Sequence, residues 1–170
     1  MGLATSVILS VVADYTRALD LADTRSPLNK KYSLTLVDGA AAGQANVVFH
    51  DRRTLAPSAN EDLDLIGTML SDPAGVALSL VRVKGLFIAA AQANVNNVVV
   101  GAAAANPWAT LLNATGTITF RPGASMGYFV SALDAVGHTV TPGTGDLLRV
   151  TNGGAGTPVD YDIIVIGANA

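Results

Sequence analysis

Apolar and polar residues alternate at short range along most of this chain, and seldom at the spacing of a helix. Residues 5–12 alternate imperfectly but are rich in Val and Ile, which predicts a first strand. Residues 13–30 mix polar and apolar positions, with Ser26-Pro27 as a break. Residues 31–37 alternate again, with Tyr32, Leu34 and Leu36 on one face, and Asp38-Gly39 turns the chain into a flexible AAAGQ stretch. Residues 46–55 start as a strand whose apolar pattern Asp51-Arg52-Arg53 interrupts. After a loop over 57–60, residues 61–66 put Leu63 and Leu65 on one face and Asp62 and Asp64 on the other. That is the pattern of a half-buried strand with an acidic outer face.

A turn around Asp72-Pro73 and Gly75 leads into the long apolar segment 76–91. There Val81 and Val83 flank Arg82 and Lys84, and Gly85 predicts a bulge after which LFIAAA resumes in a different phase. The Ala-rich end of this segment would also suit a helix. A turn over 94–97 precedes a short strand at 98–100, and 101–113, with Pro107 and Trp108, reads as helical or irregular. Strands follow at 117–120, 126–130, 137–140, 146–150 and 159–166. Arg121-Pro122-Gly123, Pro142-Gly143 and the glycines of 153–156 punctuate them. The last strand contains IIVI, apolar on both faces, and therefore belongs in the middle of a sheet or under a neighbouring subunit.

Many short strands separated by Gly and Pro turns predict an all-β fold, a single-domain β-sandwich or jelly-roll-like barrel rather than βαβ units. Residues 1–45 are expected to form an N-terminal strand and extended arm, and 46–170 the sandwich. Composition sharpens this picture. Of 170 residues, 50% are hydrophobic and only 14% charged, against the about 25% charged of ordinary soluble chains. Uncharged surface suits subunit contacts, because desolvating charge is the main cost of a tight interface.

The net charge is −3 and the ten basic residues are scattered, so no phosphate-tracking stripe exists and nucleic acid is not an expected partner. The absence of cysteine removes disulfides, thiolate metal sites and a cysteine nucleophile. The apolar run at 7–12 is too short to span a bilayer, and no basic region precedes it as in a signal peptide. Met1-Gly2 with Ser6 fits only the loose myristoylation pattern.

Candidate chemistry is sparse. His50-Asp51 is the kind of pair that orients an imidazole for general-base work, and His138 lies near a turn, but no nucleophile motif accompanies either. Asp62 and Asp64, with Glu61 beside them, share the spacing of a weak cation site without an EF-hand pattern, and Asp160 and Asp162 form a second same-face pair. The run NGGAGTP at 152–158 lacks the Lys and hydroxyl of a phosphate-binding loop and reads as a hairpin loop. Arg52-Arg53 either docks on an acidic surface or pairs with Asp51 and Glu61. Trp108 is either a core anchor or an interface hot spot. No enzymatic constellation emerges and no cofactor is expected.

Four stretches together carry a resemblance: HDRRTLAPSANEDLDLIG at 50–67, VRVKGLFIAAAQANVNNVVVG at 81–101, RPGASMGYFV at 121–130, and TPGTGDLLRVTNGGAGTPVDYDIIVIG at 141–167. In these the chain resembles the capsid auxiliary proteins of tailed bacteriophages, also called cement or decoration proteins. The resemblance implies a β-sandwich on the virion surface, commonly trimeric, that clamps neighbouring copies of the major capsid protein. His50, Asp51, Arg52, Arg53, Glu61, Asp62, Asp64 and Trp108 are then the candidate interface residues, and the N-terminal fifty residues an arm over a neighbour. A tail or head–tail junction subunit is the nearest alternative, and a carbohydrate- or receptor-binding module the next.

Overall fold

Strands form where Val, Ile and aromatic residues alternate with polar ones, and Gly, Pro and Asn or Asp clusters end them. The computed structural model describes residues 2–170; Met1, where the myristoylation-type pattern begins, lies outside them. The strands are β1 (Thr5–Arg17), β2 (Thr24–Leu36), β3 (Val47–Leu55), β4 (Asn60–Asp64), β5 (Arg82–Ala90) and β6 (Val98–Gly101). They continue as β7 (Thr117–Phe120), β8 (Ser125–Phe129), β9 (His138–Thr139), β10 (Leu147–Asn152) and β11 (Val159–Ala168). All ladders are antiparallel. No described residue is helical, so the Ala-rich end of 76–91 is strand and 101–113 is irregular. Ala102, Asn106 and Asn113 there hold positive φ, which a helix does not accept.

The fold is an all-β sandwich. One sheet runs β4-β10-β6-β7, and the other β3-β11-β5-β8, with β9 pairing the start of β5. Their inner faces share one core, to which the first gives Leu63, Val98, Val100 and Leu148 and the second Leu86, Ile88, Ile163 and Val165. Each such side chain stabilises the fold by about 1.5–3 kcal/mol through burial. β11 is flanked on both sides, by β3 and β5, the central position that its two apolar faces predicted.

The bulge falls at the predicted place. Ile166 pairs with Gly85 but Gly167 with Val83, leaving Lys84 as the extra residue. A Cβ at Gly167 would collide with the Arg82 carbonyl, so the close approach there requires glycine. The shift turns Lys84 inward to complete burial, where its Nζ donates to the carbonyls of Ala41 at 2.6 Å and Gln44 at 2.7 Å. Desolvation holds this ammonium below the ordinary lysine range, while the carbonyls tie the loop over 38–45 to the sheet.

Two predicted interruptions do not occur. β2 runs through Ser26-Pro27, where Pro27 lies opposite Asp14 in a ribbon of only two strands; proline is tolerated in an edge strand, where its missing N–H need not break the ladder. β3 likewise runs through Asp51-Arg52-Arg53. It is an edge strand, where charge is common and deters edge-to-edge pairing, and each of the three charges finds a partner described below. By contrast, 76–81 lies outside β5, and it is held by single contacts such as the Ala77–Ser71 bridge and the Leu80 amide donating to the Leu65 carbonyl.

Candidate interaction surfaces

The residues singled out from sequence fall into four settings. Glu61 and Arg53 belong to a polar clasp between the sheets. Tyr161 of β11 donates its hydroxyl to Glu61 Oε1 at 2.6 Å, and Arg53 Nε of β3 donates to Glu61 Oε2 at 2.8 Å. Arg53 also reaches Asp51 at 2.8 Å. Of the two readings of Arg53, pairing with Asp51 and Glu61 is the observed one. Hydrogen bonding to Glu61 holds its guanidinium further into the charged range. Burial first, then Glu61, pushes the Tyr161 phenol well up.

Asp62 receives a two-pronged contact from Arg149 across the β4–β10 rung, at 2.8 and 2.7 Å, and Asp64 accepts from the Ile66 amide at 3.1 Å. Among the described residues no three His, Asp or Glu side chains converge as a metal site would require. Trp108 is 4% exposed and its indole donates to the Thr139 carbonyl at 3.0 Å. It is a core anchor, and its ring is not offered to a partner.

His50 and Asp51 are neighbours in an extended strand, and successive side chains there point to opposite faces. The carboxylate therefore cannot orient the imidazole, and the His-Asp pairing considered from sequence is not formed. Asp51 instead serves Arg53. His138 is also committed. Its Nδ1 lies 2.9 Å from the Thr110 carbonyl, which can only accept, so Nδ1 carries the proton and Nε2 accepts from Tyr128 Oη at 2.8 Å.

The larger feature is the β1–β2 hairpin. Its ladder runs from Thr5–Leu36 to Arg17–Thr24, about 40 Å at the usual strand rise. Directly opposed residues share a face. One face begins with Leu36 and the Val7–Leu34 rung, which pack with Ala45 against Phe129 and Ile166 of the sandwich. It continues outward as Leu9–Tyr32, Val11–Lys30, Ala13–Leu28 and Tyr15–Ser26. From Ile8–Ser33 onward every residue of the hairpin is exposed, so the ribbon stands clear of the body. The other face is more polar, with Ser10–Lys31, Asp14–Pro27 and Thr16–Arg25, Arg25 pairing to Asp14, although Ile8 and Val12 also lie exposed on it.

The second feature is the outer face of the five-stranded sheet. Its rung Val48–Ile166–Gly85–Phe129 meets the hairpin base. The next, His50–Ile164–Phe87–Gly127, is an open apolar trough, with Phe87 38% exposed and no side chain on Gly127. Beyond it lie Arg52 and Asp162, 2.6 Å apart, and Thr54 donating to Asp160. The Arg52 guanidinium holds the Asp162 carboxyl below the usual carboxylate range. A cleft of about 210 Å³ opens where the hairpin leaves the sheet, lined by Leu9, Gly85, Phe87, Gly127 and Phe129 among others.

The hairpin falls within the N-terminal arm expected from sequence, and the interface candidates His50 and Arg52 lie in and beside the trough, but the trough itself was not named. The signal for the trough was present: Leu86-Phe87-Ile88 and Ile163-Ile164-Val165-Ile166 put apolar residues on both faces of neighbouring strands. Comparison with protein-family models, with curated proteins and with solved structures found no match.

Proposed function

We propose that this chain is a capsid cement subunit of a tailed bacteriophage, made in the host cytoplasm and carried on the virion surface. The observation that carries the reading is the hairpin, a ribbon whose apolar face its own chain leaves largely uncovered. An isolated two-stranded ribbon is marginally stable in water, and one of this length is stabilised where assembly covers it. The sequence resemblance to capsid auxiliary proteins and the low charge content support the same reading.

The mechanism is thermodynamic. A subunit bound across the joints between major capsid proteins adds interface free energy that rupture must overcome. Assembly as a trimer lets several modest contacts act together. The test adds the purified chain to expanded capsids lacking it and measures the temperature and salt at which they open. A rise in the rupture temperature supports the reading, and capsids unchanged at saturating protein end it. Electron microscopy of labelled particles should show signal over the whole head; signal confined to the tail would identify a tail or head–tail junction subunit instead.

A further inference from the structure

We infer that the apolar face of the hairpin of one copy lies on the outer sheet trough of the next copy, around a closed ring. The inference rests on the self-association in the proposed function, but not on what the ring attaches to.

Continuity argues for this occupant. The face bearing Val7 and Leu34 already packs on Phe129 and Ile166 in its own chain. The same face continues outward with Leu9, Val11, Leu28 and Tyr15, 46–68% exposed. The trough continues from that packed rung with Ile164 and Phe87. Each surface is thus the unfilled half of a contact whose chemistry the chain displays at the hairpin base. They do not meet within one chain, because the ribbon leaves the sheet after the Val7–Leu34 rung. A second copy covers both at once, whereas an unrelated partner would have to match each separately.

Charge agrees. Along the ladder the outward apolar face carries Lys30 and Arg17 and no acidic residue, Asp20 and Asp23 lying in the loop at the tip. The far end of the trough carries Asp160 and Asp162 with Arg52 between them, one more carboxylate than cation. A neighbour's Lys30 meets that surplus negative charge, while Asp14 stays on the opposite ribbon face.

Area argues for more than one contact. A ribbon free over about 30 Å and about 10 Å wide covers on the order of 300–400 Å² of each partner, a total of about 600–800 Å² against the about 1,200 Å² of a stable interface. One arm contact is too small to hold two copies together. An arm placed on a different surface is a heterologous contact, and when its rotation closes, every copy gives one arm and receives one. In a ring of three, the order that the resemblance implies, three such contacts act cooperatively.

The experiment uses the full chain, which has no native cysteine. Copies carrying Val11→Cys and Ser125→Cys, co-expressed and treated with a short bis-maleimide linker, should cross-link between chains. Ser10→Cys on the other hairpin face should do so several-fold less. By native mass, the wild type should weigh three times the 17.3 kDa chain. Val11→Lys with Leu28→Lys should leave single chains that melt as the wild type does once it is diluted to single chains, and Val12→Lys with Asn29→Lys should leave the trimer intact. A monomeric wild type, equal cross-linking from Ser10 and Val11, or a trimer that survives the Val11 and Leu28 changes would overturn the inference. A ring that forms as described but never binds capsids defeats the proposed function alone. A monomer that binds capsids through Val11 contacts to the shell protein defeats the ring alone.

Discussion

Strand β11 and the β1–β2 hairpin both carry apolar side chains at alternate positions over ten or more residues. Yet β11 hides Val159, Tyr161, Ile163 and Val165, while the hairpin leaves Leu9, Val11, Tyr15 and Leu28 in solvent. The difference lies in what stands opposite. β11 is hydrogen-bonded on both edges and faces a second sheet. The hairpin strands have only each other, and beyond Val7–Leu34 no layer covers either face. Alternation specifies a strand and a face; it does not specify whether the covering layer belongs to the same chain.

The comparison breaks most visibly through the core. Ile163 is fully buried between β3 and β5, and Ile163→Ala should cost about 2–5 kcal/mol, the range for deleting a buried aliphatic side chain. Urea unfolding followed by tryptophan fluorescence reads this, because Trp108 sits in the same core. A loss below about 1 kcal/mol would mean that β11 is not the central strand of a packed sandwich.

Next comes the joint between the two regions. Lys84→Met keeps the length of the side chain but removes the donor to the carbonyls of Ala41 and Gln44. Leaving buried acceptors unpaired should cost about 1–3 kcal/mol. Amide exchange should accelerate in 38–45 more than in β11. Uniform acceleration would show that Lys84 supports the whole body and not the loop that follows the hairpin.

How much of this was legible in the sequence depends on where each residue's partner lies. Leu63 and Leu65 announce their burial by local pattern alone, as IIVI announces the central place of its strand, although Ile164 and Ile166 stay half-buried on its outer face. The bulge near Gly85 was legible because a phase change is local too. The inward turn of Lys84 was not, since its acceptors are main-chain carbonyls forty residues upstream with no side-chain signature. Pro27 and Asp51-Arg52-Arg53 read as breaks because edge strands admit residues that central strands reject. Edge position is a property of the sheet, not of the segment. The trough needed β5 and β11 to be placed side by side before Phe87 and Ile164 became one surface.

A smaller effect sharpens the clasp between the sheets. Tyr161→Phe removes the hydroxyl bond to Glu61, worth about 1 kcal/mol. It should also change the alkaline limb of stability. The folded chain holds the Tyr161 proton above the ordinary phenol range, so above about pH 10 it binds more protons than the unfolded chain and stability falls as pH rises. The variant should lose that part of the fall. Lys84, shifted the opposite way, contributes equally to both proteins and cancels. Parallel alkaline limbs in the two proteins would place the phenol in solvent, contrary to its burial.

The smallest expected change is the most telling for the hairpin. Val11→Thr alters an exposed rung of the hairpin that lies outside both buried clusters, so dilute unfolding of the body should shift by less than about 0.5 kcal/mol. Raised protein concentration should change this. If a neighbour's trough covers Val11, the deficit of the variant grows as copies associate, because association stabilises only the folded form. Urea midpoints of both proteins across a wide concentration series measure that growth. A deficit already large at the lowest concentration would mean that ribbon and sandwich unfold as one unit, and the contrast between a covered strand and a free one would lose its physical basis.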